Sequence, residues 1–108
     1  MSVEISVLIN AKFASTNSTN EYTAPAKTNT IIDKFTVTNV DSSSRTVNVH
    51  VVPYGEIEAL SNLIVSARSI AANATQDFTE LQNQILVAGD FITVQGSAAN
   101  ALVIRASG

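Results

Sequence analysis

The sequence predicts an all-β fold: a single antiparallel β-sandwich, jelly-roll-like, with residues 1–108 forming one domain. Three observations lead there. Short apolar runs alternate with polar residues at period two, the signature of half-buried strands. Clusters of Ser, Asn, Asp and Gly interrupt these runs roughly every 8–12 residues, the spacing of sandwich and jelly-roll turns. No stretch carries a convincing helical period.

The first strand is expected where Val3, Ile5, Val7, Ile9, Ala11 and Phe13 occupy every odd position. Residues 14–30, "ASTNSTNEYTAPAKTNT", are dominated by Ser, Thr and Asn, whose side chains bond nearby backbone and favour turns. They read as an extended loop or arm that Tyr22 and Pro25 could pin to a surface. In "IIDKFTVTNV" (31–40), Ile31, Asp33, Phe35, Val37 and Asn39 share one side of a strand. "DSSSR" (41–45) is a turn, and "TVNVHVV" (46–52) is a strand with Val47, Val49 and Val51 inward and His50 outward. Two strands joined by a short polar loop read as an antiparallel hairpin.

Pro53-Tyr54-Gly55 ends that strand, because proline cannot donate to a ladder. Residues 56–62 read as a loop with room for one helical turn, and "LIVSARSI" (63–70) as a strand. "AANAT" (71–75) is a turn in which Asn73 tolerates a positive φ. A short strand follows over 76–81, then a crossover through 82–90. "FITVQGS" (91–97) and "ALVIRAS" (101–107) are two strands about a turn at 98–100.

The composition narrows the functional classes. A chain of 108 residues buries about two-thirds of its unfolded surface, enough for a core without staples. Only 14% of residues are charged, against roughly 25% in an average domain, which suits either a surface partly covered by neighbours or a small β domain decorated with Ser, Thr and Asn. The six Lys and Arg residues are scattered and the net charge is −3, so no nucleic-acid partner is expected. There is no cysteine, hence no disulfide and no thiolate ligand or nucleophile. The first residues lack a basic region and do not read as a secretory signal. No apolar run approaches the about 20 residues of a membrane helix, and no membrane partner is expected.

No residue set suggests catalysis, a metal or a cofactor. His50 is the sole histidine and reads as a surface or interface residue, whereas a metal site needs several converging ligands. No serine sits in a G-x-S-x-G elbow, and no glycine-rich phosphate loop exists. Glu56 with Glu58 and Asp77 with Glu80 are carboxylate pairs, but glycosidase chemistry also wants aromatic platforms, and the chain has no Trp. Gly89-Asp90 reads as a turn that launches the strand at 91: glycine supplies a positive φ, and aspartate bonds turn amides.

Three stretches together carry a resemblance: "IIDKFTVTNVDSSSRTVNVHVVPYG" (31–55), "NLIVSARSIAANAT" (62–75) and "ELQNQILVAGDFITVQGSAANALVIRASG" (80–108). The "TNV" strand end, the "VNVHVVPYG" strand, the "SIAANAT" turn, "LVAGDFI" and the terminal "IRASG" resemble small virion structural proteins of tailed bacteriophages. At 54–56 this chain has Tyr-Gly-Glu where such proteins tend to carry a glycine pair and small residues.

The resemblance implies a head decoration, or cement, protein on the capsid exterior, present in the host cytoplasm during assembly. Its partner would be the major capsid protein, and capsid symmetry suggests a dimer or trimer. The candidate contacts are the apolar residues of predicted loops: Tyr22, Pro25, Tyr54, Ile57 and Leu60. The alternative is a tail or host-contact component that binds carbohydrate.

Overall fold

The computed structural model describes residues 6–108. Val3 and Ile5, the first members of the odd-numbered stripe, lie outside the described residues. The strands are β1 (Val7–Phe13), β2 (Thr19–Thr23), β3 (Thr30–Ile31), β4 (Lys34–Asn39), β5 (Arg45–Val52), β6 (Leu63–Ile70), β7 (Thr75–Asp77), β8 (Ile85–Leu86), β9 (Phe91–Gly96) and β10 (Leu102–Ser107). A single 3-10 turn, Leu60–Asn62, is the sole helical element among the described residues. One sheet has the order β1-β10-β4-β7, a second β2-β9-β5-β6, and β3 and β8 form a two-stranded ribbon. All pairings are antiparallel.

The fold is all-β and sandwich-like. Phe35, Val37, Leu102, Ile104 and Ala106 of the first sheet join Val47, Val49, Val65, Ile92 and Val94 of the second in one buried core. Alternate residues along each strand supply this layer, as two stacked sheets require. The loops add Ile32, Phe78, Leu81 and Leu86, all buried. Phe78 stacks on Phe35 with ring centroids 5.6 Å apart. Arg68 lies over the Phe78 ring and pairs with Glu80.

Four expectations need correction. The stretches 31–40 and 46–52 are not a hairpin: β4 pairs with β10 and β7, whereas β5 pairs with β6 and β9. The turn at 40–44 instead carries the chain from one sheet to the other. Asn39 holds that corner from a fully buried position. Its Nδ2 donates to Ser43 O and Ile70 O, both at 2.9 Å, and its Oδ1 accepts from Asp41 N at 2.9 Å. Next to it the Arg45 side chain, and then the Ser42 amide, bond the Asp41 carboxylate and hold its pKa below the usual 3.8.

The run 31–40 is also two strands rather than one. The chain breaks its alternation at Ile32 and Asp33, so Ile31 faces solvent while Phe35 and Val37, expected on the same side, are buried, and Ile32 is buried with them. Ile32 N donates to Gln84 O, while Asp33 N donates to Ser107 O, so the two backbones face different partners.

In β1 the register slips between Val7 and Ile9 and again between Ile9 and Lys12. Such bulges shift every later side chain to the other face. Ile9 therefore enters the core, while Val7 and Phe13 are exposed. Lys12, opposite the inward-facing Ile104, reaches Glu21 Oε1 at 2.9 Å across the rim of the sandwich.

The arm at 14–30 is largely part of the fold. Its middle is β2, an edge strand paired with β9, and Ala14, Ala24 and Thr30 are buried. Small and polar residues suit this edge position, where one side of the backbone stays solvated.

The opposite edge, β6, is blunted by a bulge. Ala67 adopts φ 44°, and Asn48 Oδ1 accepts its amide at 2.6 Å. Left-handed backbone strains an alanine but not a glycine. Ala67→Gly is expected to raise unfolding free energy by about 0.5–1 kcal/mol, a rise in the urea midpoint at constant slope.

Candidate contact surface

Strand β5 stops at Pro53, and the chain turns at once. Glu56 N donates to Pro53 O at 3.1 Å, and Gly55 between them has φ 82°, as a type II turn asks of its third residue. A similar turn lies across from it. Asp90 N donates to Val87 O at 3.0 Å, and Gly89 has φ 90°. The Asp90 side chain joins the two turns: Oδ1 accepts from Tyr54 N at 2.9 Å and Oδ2 from Val87 N at 3.0 Å. The Tyr54 ring lies against Gly89, where a Cβ would sit 2.4 Å from Tyr54 Cδ2. Gly89 N and Ala24 N complete the splice by donating to Ala24 O and Asp90 O. Gly89-Asp90 is thus a turn, as expected, and also a clamp on two other segments.

Beyond Glu56 the loop folds back over the outer face of the second sheet. Asn62, nearly buried, ties it into a tight shape: Oδ1 accepts from Ala59 N at 3.1 Å and Nδ2 donates to Ile57 O at 3.0 Å. Glu58 Oε1 accepts from Ser18 Oγ at 2.6 Å and lies 2.6 Å from His50 Nδ1. His50 points away from the core yet is only 9% exposed, because this loop covers it. It is a covered residue and not the surface residue its strand position suggests.

The loop's apolar side chains are turned outward. Tyr54 is 77% exposed, Ile57 81% and Leu60 87%, the highest values among the large hydrophobic residues described. A backbone held by side-chain ties while its apolar groups face solvent is preorganised, with little ordering entropy left to lose were it to dock. Pro25 is exposed and follows Ala24, so the splice with Gly89 and Asp90 places it at the same end as Tyr54. Tyr22 is different. Its ring packs on the core and its hydroxyl lies 2.9 Å from Thr30 Oγ1, so it fastens β2 rather than presenting a contact.

Three exposed residues escaped sequence reasoning. Ile31 and Ile85 are direct partners across the β3–β8 ribbon, 53% and 60% exposed, and Val87 follows two residues on from Ile85. Ile31 was expected on one side with Phe35 and Val37, and the break at Ile32 and Asp33 turns it outward, whereas Ile85 and Val87 lie in the stretch 82–90, read only as a crossover.

Among the described residues no three His, Cys, Asp or Glu side chains converge as metal ligands. The contacts among Ser18, Glu58 and His50 place the carboxylate between serine and histidine, whereas nucleophilic relays place histidine between the other two. In comparisons with known proteins the chain matches no family model, no curated protein and no solved structure.

Proposed function

We propose that this protein is a tailed-bacteriophage virion structural protein, a decoration or cement protein that binds the assembled major capsid shell from outside and stabilises it. The observation that carries the reading is the fixed loop at 53–62, with Tyr54, Ile57 and Leu60 displayed on it. Exposed apolar groups on a rigid base are typical of a protein contact site. A ligand that binds the assembled shell and not its free subunits shifts the balance toward assembly by mass action.

The strand order supports a jelly-roll reading of the sandwich. Strands β1, β10, β4 and β7 face β2, β9, β5 and β6, and successive main strands repeatedly change sheet. Eight-stranded jelly rolls recur among viral capsid domains, an argument by fold analogy that raises this reading above others. A dimer or trimer on a capsid symmetry axis would present the loop two or three times and gain avidity.

The test is shell binding by a double variant, Ile57→Ser with Leu60→Ser. Both side chains are exposed, so the melting curve should stay within about 1 kcal/mol of the parent. Affinity for shells assembled from the major capsid protein should fall about a hundredfold, the loss of two contact anchors. Unaltered affinity, or shells equally resistant to heat and low salt with and without the protein, removes the cement reading. Labelling of intact virions on the tail would favour the host-contact alternative.

A further inference from the structure

We propose that the β3–β8 end of the sandwich is a two-fold interface at which a second copy of this chain docks. The inference goes beyond the cement reading. It concerns a surface separate from Ile57 and Leu60, which ride on the loop folded over the outer face of the second sheet. Ile31 and Ile85 are direct partners across the ribbon. Leu86 is buried, so Val87 returns to the exposed side with Ile85. All three are more than half exposed. Adjacent apolar side chains left in water on paired backbone, rather than scattered singly, mark an interaction site. Burying them against a like patch removes apolar surface from water on both copies.

The charges around the ribbon identify the occupant as a second copy. Lys27 and Asp33 are exposed, and neither has an ion-pair partner among the described residues, whereas Lys12, Arg45 and Arg68 each have one. The two lie on opposite sides of the patch. Lys27 follows Ala24, whose backbone is tied to Gly89 and Asp90 beside the second sheet. Asp33 N donates to Ser107 O at the end of β10 in the first sheet. An unpaired cation and an unpaired anion flanking an apolar centre are complementary to their own copy after a half-turn. A two-fold axis through the ribbon sets Lys27 of each copy opposite Asp33 of the other, with the apolar residues between them. A partner of one charge sign would satisfy only one of the two groups.

The test is the molar mass of the isolated protein by sedimentation equilibrium, at about 100 μM chain and low salt. The parent chain should sediment as a dimer, and Ile31→Ser with Ile85→Ser as a folded monomer. Lys27→Glu and Asp33→Lys each place like charges together at both rim contacts and should each weaken the dimer about thirtyfold. Mixing these two variants restores opposite charges at both contacts of a mixed dimer, so the mixture should regain the parent affinity to within about threefold. An effect confined within one chain would not be rescued by mixing. The charge variants lie in exposed loops and serve if the serine variant does not fold. A monomeric parent, a dimer unaffected by the single charge variants, or a mixture no tighter than its components overturns the two-fold interface. The measurement uses no shells. Shell binding by a monomeric parent would leave the cement reading standing and remove this one, and a dimer that binds no shell would do the reverse.

Discussion

Asn39→Ala is expected to lower the unfolding free energy by about 4 kcal/mol, close to the whole stability of a weakly stable domain of this size. The side chain is fully buried and makes three hydrogen bonds, to Ser43 O, Ile70 O and Asp41 N. Alanine leaves two carbonyls and one amide without that partner, each at about 1–3 kcal/mol where water is excluded. Ser43 lies in the corner and remains partly solvated, so the total falls short of three full penalties. In thermal melting the loss corresponds to a fall of roughly 15–25 °C. A second effect sets this variant apart from a simple cavity. The corner at 40–44 is what keeps β4 and β5 in different sheets, so amides of β5 should lose exchange protection before those of β10. A loss under about 1 kcal/mol would mean that the corner is held by packing and not by Asn39.

Asp90→Ala should cost about 2 kcal/mol and, more importantly, free the loop at 53–62. Its carboxylate accepts from the amides of Tyr54 and Val87, just beyond the point where the β5–β9 ladder ends at Val52 and Phe91. Without it the turn at 53–56 keeps its own backbone bond but loses its tether to the turn at 87–90. On the proposed cement function, the ordering entropy of the loop then falls due on binding, and shell affinity should drop about tenfold beyond any effect of stability. Asp90→Asn retains one acceptor oxygen and should recover part of both losses. A variant with normal shell affinity despite a lowered melting temperature would show that the loop's shape is set by Asn62 and Glu58 alone.

The two predictions also mark where local reading of the chain succeeds and where it stops. Strand positions after residue 45 followed directly from period two and turn chemistry: β5, β6, β9 and β10 lie where alternation placed them, and Asn73 adopts φ 59° in the turn expected of it. Gly89-Asp90 was legible as a turn for the same reason. Its second role was not, because Tyr54 is 36 residues away and nothing near Asp90 marks that amide as its partner. The exposure of Tyr54, Ile57 and Leu60 was legible because apolar residues in a loop have no strand face to bury against. Tyr22 looked the same in sequence and proved to be packed on the core, since residues 14–30 contain a strand whose Ser, Thr and Asn residues mask it.

The phase errors share one cause. Alternation assigns faces only while the ladder runs without interruption, and one extra residue reverses every assignment after it. The register slips in β1 turn Phe13 outward, and the break at Ile32 and Asp33 turns Ile31 outward beside Ile85. By itself, then, the sequence determined an all-β chain, its turns and most of its strands, because these depend on the backbone preferences of neighbouring residues. The tertiary structure decided which strands share a sheet, which faces are buried and which loops are fixed. Those outcomes rest on polar side chains such as the buried Asn39 and the half-exposed Asp90 finding partners far along the chain, and for Asn39 the cost of leaving it unpaired away from water selects one arrangement.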